Sequence, residues 1–91
     1  MATMVTVDGE FIDVVPSNGK FFEVEELQEM VGGDFQAIQI SKNEYVLVNE
    51  EGLIEDLPIN KPICHYISQN YKVRTFYVLG TGVIVNNKEF R

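Results

Sequence analysis

The chain has 91 residues, of which 45% are hydrophobic, and a net charge of −7. This length predicts one domain with a modest core, and the composition is that of a folded chain rather than a disordered one. The negative charge disfavours direct binding to nucleic acid phosphates, and the lack of a long apolar run excludes a membrane-spanning helix.

The N-terminal part predicts strands joined by tight turns. Residues 4–7 are rich in strand formers and lead into Asp8-Gly9, a dipeptide typical of a two-residue hairpin turn. Residues 10–15 read as the returning strand, which ends at a proline. A second turn follows, and residues 21–22 would then form another short strand. We therefore expect two successive hairpins here.

Residues 24–31 predict an amphipathic helix, because apolar residues recur at helical spacing and glutamates occupy the other side. Gly32 would supply the left-handed residue that ends this helix, and Gly33 would redirect the chain. A helix of this length does not persist alone, so we expect it to dock on a sheet. The acidic residues are concentrated in this half of the chain: residues 1–45 hold nine acids and two bases.

Residues 35–40 and 44–49 predict an antiparallel hairpin, since three polar residues separate two strand-forming runs. The second run is apolar on both faces at residues 45–48. This pattern predicts an interior strand that the helix covers on one side.

A second helix is predicted to begin after Asn60, which can cap it while Pro62 lies harmlessly in the first turn. Residues 57–59 before it are expected to be extended, and residues 69–74 after it to form a loop. The buried side of this helix would consist of Ile63, Tyr66 and Ile67.

Residues 76–79 and 83–85 predict the last strands. Gly80-Thr81-Gly82 between them is either a tight turn or a bulge within one long strand. The whole chain, residues 1–91, is thus predicted to be a single α+β domain: a small, mostly antiparallel sheet with two short helices packed on it.

No pattern in the chain predicts catalysis, a metal site or a cofactor. Cys64 and His65 are unique but adjacent, so their side chains would point apart on a helix. Glu50 and Glu51 lack the alternating oxygen ligands of a calcium loop. We expect a protein that is not an enzyme; were it one, these two glutamates and His65 would be the first residues to substitute.

Aromatic residues near the second helix interleave with basic ones, which leaves two interpretations. The composition is that of a base-stacking surface, but core or edge aromatics with charges that protect a strand explain it more simply, and we favour this second interpretation. The residues concerned are Tyr66, Tyr71, Phe76, Tyr77, Lys72 and Arg74.

Five short motifs occur in a characteristic order. They are Leu27-Gln28, Val31-Gly32-Gly33, Asn49-Glu50-Glu51-Gly52, Leu57-Pro58-Ile59-Asn60 and Gly80-Thr81-Gly82-Val83-Ile84-Val85. Over residues 10–89 the chain resembles the domain-of-unknown-function family numbered 3846. Members of that family are commonly short proteins of bacteria, phages and conjugative elements. The resemblance implies a mobile-element setting and no particular reaction.

The motif positions also supply our candidates for ligand or partner binding. Each has a structural explanation as a helix stop, a turn or a cap, but the loops that they form would line one small pocket if the fold brings them together. These candidates are Gly32, Gly33, Asn49, Glu50, Glu51, Gly52 and Asn60.

The leading hypothesis from the sequence is a non-enzymatic binding or regulatory module that a phage or mobile element encodes and that acts on a host protein. The alternative is a protein that binds or sequesters a small, nucleotide-like molecule. A single cysteine and no export signal predict a cytoplasmic protein. Pairing through an exposed sheet edge would also allow a homodimer.

Overall fold

The computed structural model describes residues 2–52, 54–71 and 77–89, and these residues form an antiparallel sheet with two helices. The predicted α+β fold is therefore confirmed. The sheet has five strands in the order β2-β1-β5-β4-β3. In chain order the elements are β1 (Ala2–Val5), β2 (Phe11–Val14), α1 (Val24–Val31), β3 (Phe35–Gln39), β4 (Glu44–Asn49), α2 (Lys61–Asn70) and β5 (Gly82–Asn86).

The two helices cover opposite faces of the sheet. Leu27 of α1 belongs to a buried cluster that includes Leu47 of β4, whereas Ile63 of α2 belongs to another that includes Val46. Because successive side chains of a strand point to opposite faces, β4 contributes to both clusters. The prediction of an interior strand that is buried on both sides is confirmed.

The first hairpin differs from its prediction in both position and turn type. Strand β1 ends at Val5. The Thr6 amide then donates to the Glu10 carbonyl (3.0 Å), and the Gly9 amide donates to the Thr6 carbonyl (3.1 Å). Residues 6–10 therefore connect the two strands, and the loop that the Thr6–Glu10 bond closes contains three residues, 7–9, instead of the Asp8-Gly9 pair. Gly9, at φ 94°, takes the left-handed position that such a loop places last.

The second predicted hairpin is wrong, because residues 21–22 do not form a returning strand. Phe22 is buried in the cluster beneath α1, and its amide donates to the Glu89 carbonyl (2.8 Å). Burial of this ring, rather than pairing with β2, decides the course of the chain. After the turn at residues 16–19, residues 20–23 lead the chain to helix α1.

The last third of the chain also departs from its prediction. Helix α2 continues to Asn70, so the predicted loop begins later, and residues 72–74 lie outside the described residues. Residue 76 of the predicted strand 76–79 lies outside them too. Residues 77–79 make only a single bridge, in which Leu79 pairs with Ile59. Gly80, at φ 80°, bends the chain just before β5, which begins at Gly82, so residues 80–82 are not a bulge within one long strand.

Candidate functional site

The structure does bring the Gly32-Gly33 turn and the turn of residues 49–52 together, and the Asn49 side chain lies between them. Its Nδ2 donates to the Val31 carbonyl at the end of α1 (3.1 Å), and its Oδ1 accepts from the Glu51 amide (2.8 Å). A Cβ on Gly33 would lie 3.4 Å from this Nδ2. The space between the two turns is therefore filled by the amide of a buried asparagine.

Gly52 allows a close approach of two chain segments. A Cβ at this position would lie 2.9 Å from the Cβ of Leu79 and 3.5 Å from the Asn49 carbonyl oxygen. Both of these atoms are fixed close to the backbone, so they cannot move aside easily. This close packing explains why the residue at position 52 is a glycine.

A small cavity of about 150 Å³ borders the same turn. Among the described residues, those that line it are Gln36, Ile38, Val48, Asn49, Glu50, Gly52, Tyr77 and Leu79. Three of the predicted site residues thus border one cavity. The other four are not part of this lining: Gly32, Gly33, Glu51 and Asn60.

Asn60 lies elsewhere, and its side chain is wholly buried. Its Nδ2 donates to the Val5 carbonyl (2.9 Å) and to the Gly80 carbonyl (3.0 Å), and its Oδ1 accepts from the Ile63 amide (3.1 Å). The predicted cap of α2 is confirmed. The same side chain also connects β1, the turn before β5 and the helix, so this geometry is that of a structural residue.

A second concave surface, which the sequence did not predict, lies between α1 and the sheet and is larger than the cavity beside Gly52. This groove has a volume of about 550 Å³, and we call it the methionine groove. Its lining residues are Met4, Thr6, Glu26, Glu29, Met30 and Thr81. The only local signal was the spacing of the three α1 residues, which places them on one side of the helix.

Two carboxylates on α1 make the rim of the methionine groove acidic. Glu26 Oε1 accepts from the Ser17 hydroxyl (2.8 Å), and Glu26 Oε2 accepts from the Ser17 amide (3.3 Å). The Ser17 hydroxyl is the main cause that holds the pKa of Glu26 below its ordinary value. Glu29 is exposed. Glu26 is therefore negatively charged at neutral pH and fixed in place.

The groove combines these carboxylates with flexible, polarisable methionines, Met4 and Met30. Methionine adapts to apolar partners of different shapes. Lysine and arginine side chains have an apolar stem and a cationic head, which would contact the methionines and the carboxylates respectively. The arrangement fits a ligand that carries such side chains.

The aromatic residues around α2 have two kinds of surroundings. Tyr66 makes edge-to-face contacts with Phe11 (5.6 Å between ring centroids) and Tyr71 (6.3 Å). The Tyr71 hydroxyl donates to Glu44 (3.0 Å), and burial together with this bond raises the pKa of Tyr71. Tyr77 is 74% exposed, whereas Phe76, Lys72 and Arg74 lie outside the described residues.

Cys64 and His65 are neighbours on α2, the first partly buried and the second exposed. In the part of the chain that the structure describes, no three histidine, cysteine or acidic side chains form a group able to hold a metal ion. Neither described helix has the length and apolar character needed to cross a bilayer.

Comparison with known proteins gives one match. The family model described as "Domain of unknown function (DUF3846)" matches residues 2–90. The match is longer than the region 10–89 on which the resemblance rested, and it includes strand β1. Neither a curated protein nor a solved structure matches the chain.

Proposed function

The chain belongs to the DUF3846 family of domains of unknown function. We propose that it is a non-enzymatic binding module. In this proposal, the methionine groove binds a basic segment of a partner protein. The observation that carries this proposal is the groove itself, in which Glu26 and Glu29 border a surface that contains two methionines.

The charge of the chain supports a basic partner. Its net charge is −7, and residues 1–45, which contain α1, hold nine acids against two bases. A negative field of this kind speeds the approach of a cationic partner and repels acidic ones. The apolar groove would then retain the partner once charge has brought it close.

The setting that we propose is a phage or another mobile element, with a host protein as the target. This part of the proposal rests on the resemblance to a family whose members are commonly short proteins of bacteria, phages and conjugative elements. A regulatory role follows naturally, because a small module that covers a basic segment of a host protein blocks whatever else that segment binds.

Charge reversal at Glu29 tests the groove. Glu29→Lys should weaken binding of a basic partner roughly tenfold, because it replaces attraction by repulsion at the rim. The matched control is Glu51→Lys, which changes the net charge equally at the turn of residues 49–52 and should have little effect. The measurement is the change in fluorescence anisotropy of a labelled peptide of lysine, arginine and leucine, with a glutamate-containing peptide as the negative probe.

The same two variants compare the proteins captured from a host extract. A host protein retained by the wild-type chain and by Glu51→Lys, but lost with Glu29→Lys, supports the groove as the binding surface. Equal loss with both variants would show that only net charge matters, and selective loss with Glu51→Lys would move the site to the other turn. Either of these two results contradicts the proposal.

The cavity beside Asn49, Glu50 and Gly52 supports small-molecule binding as the second candidate function. At about 150 Å³ it is smaller than the ~300 Å³ or more of usual ligand sites, so it suits a ligand smaller than a nucleotide. A ligand that binds there should raise the melting temperature with increasing concentration. Screening a panel of metabolites would test this, and Glu50→Ala should reduce any shift. A panel without any stabilising compound would contradict this candidate.

A further inference from the structure

Strand β3 is an outer strand of the sheet, and its hydrogen bonds reveal which backbone groups face outward. The Ile40 amide donates to the Glu44 carbonyl (3.0 Å), and the Glu50 amide donates to the Asp34 carbonyl (2.9 Å). Bonds to a neighbouring antiparallel strand alternate along the chain. The backbone N–H and C=O groups of Ala37 and Gln39, between these two bonds, therefore point away from β4.

The outer edge of β3 lacks the features that usually protect an edge strand. Residues 35–39 contain no charged residue and no proline, and Ala37 and Gln39 are exposed. In the part of the chain that the structure describes, no strand lies beyond β3. Natural sheets protect free edges with charges, prolines or bulges because an unprotected edge recruits another strand. The outer edge of β3 is therefore open to pairing with another strand.

The opposite edge of the sheet is different. Strand β2 carries Asp13 and is followed closely by Pro16. The Thr6 amide bonds to the Glu10 carbonyl, so the same alternation turns the backbone groups of Asp13 outward. Pairing two copies of β2 around this residue would place two carboxylates opposite each other, which is unfavourable.

We propose that β3 pairs with β3 of a second copy of this chain in an antiparallel arrangement, which joins two sheets into one of ten strands. A twofold axis at Ile38 would place Ala37 of each copy opposite Gln39 of the other, so that the outward backbone groups of these two residues bond across the interface. The small side chain of Ala37 allows the two backbones to approach closely.

Charge complementarity favours a second copy as the occupant. Asp34 precedes β3 and Lys42 lies in the turn after it, and both are exposed. In an antiparallel pair, the Asp34 end of one copy lies beside the Lys42 end of the other. The twofold axis repeats this attraction at both ends of the ladder, and the uncharged residues between them meet without repulsion.

The first test is sedimentation of the purified chain over a range of concentrations. We expect a monomer–dimer equilibrium, and Ala37→Lys should weaken the dimer roughly tenfold because it places two lysines diagonally across the axis on an edge that was uncharged. Asp13→Lys places the same residue on the other edge and should leave the dimer intact. Circular dichroism shows that each variant is folded. A chain that stays monomeric at millimolar concentration, or a dimer that only Asp13→Lys weakens, overturns the proposal.

A charge exchange between the exposed residues Asp34 and Lys42 tests the register, and circular dichroism shows that each variant is folded, because Asp34 also accepts a hydrogen bond from Gln28 Nε2 (2.9 Å). Asp34→Lys and Lys42→Asp should each weaken the dimer roughly threefold to tenfold, since each creates two repulsive contacts between exposed groups. The double variant D34K/K42D should restore the wild-type dissociation constant. Losses that add in the double variant instead would exclude the antiparallel pairing of β3 with itself.

Discussion

Replacing Asn60 with alanine should lower the free energy of unfolding by about 3–5 kcal/mol, a large share of the ~5–15 kcal/mol that holds a small domain together. The substitution removes the cap of α2, which alone is worth about 1 kcal/mol. It also leaves the carbonyl groups of Val5 and Gly80 without the buried donor that serves both. Each unsatisfied buried carbonyl adds about 1–3 kcal/mol. Urea denaturation measured by circular dichroism would give the difference.

Two further variants separate the contributions of Asn60. Asn60→Ser keeps an oxygen able to accept from the Ile63 amide but cannot reproduce both donated bonds, so it should recover about 1 kcal/mol of the loss. Asn87→Ala removes an exposed asparagine and should change the stability by less than about 0.5 kcal/mol. If Asn60→Ala were as mild as Asn87→Ala, the buried amide would not be the link between strand, turn and helix that its bonds indicate.

The sequence predicted the elements whose causes are local. Helix α1 follows from a helical repeat of apolar residues that ends at Gly32, which takes the left-handed conformation expected of it. Helix α2 follows from the Asn60 cap and a proline in its first turn. The hairpin of β3 and β4 follows from two strand-forming runs around a short polar turn. In each case the deciding residues lie within a few positions of one another.

The second hairpin was predicted wrongly, and most of the role of Asn60 was missed, for another reason: both depend on residues far apart in the chain. Phe22 enters the core and bonds to Glu89, which decides its path in a way that no neighbouring residue signals. Asn60 could be recognised as a cap, but its donated bonds reach residues 55 and 20 positions away. The local sequence pattern therefore identified Asn60 as a cap but could not predict its bonds to Val5 and Gly80.

In the candidate site, too, local features were predicted and features that depend on distant residues were missed. The turn residues Asn49 and Gly52 were identified because glycine and asparagine stand out in a sequence, and both prove to be closely packed. The methionine groove was missed because it needs β1 and Thr81 to lie beside α1. Nothing in the sequence of Met4 or Met30 distinguishes a methionine that borders a groove from one that fills a core.

Substitution of Gly82 by valine tests how closely β5 packs beneath helix α2. A Cβ on this residue would lie 2.6 Å from Ile63 Cδ1 and 3.3 Å from Val78 Cγ1, and all three residues are buried. Gly82→Val should therefore lower the free energy of unfolding by about 3 kcal/mol, because the added methyl groups have no space and the neighbours are packed on all sides.

A second substitution, at Ile63, measures whether the side chains at positions 82 and 63 contact each other. Ile63→Ala alone should cost about 2–5 kcal/mol through the cavity that it leaves. In the variant G82V/I63A the valine fills part of that cavity, so the combined loss should be smaller than the sum of the two by about 1–3 kcal/mol. Thermal or urea denaturation of the four proteins gives this coupling. Additive losses would mean that the two side chains do not meet, and then α2 could not cover β5 as the sheet order and the buried cluster around Ile63 require.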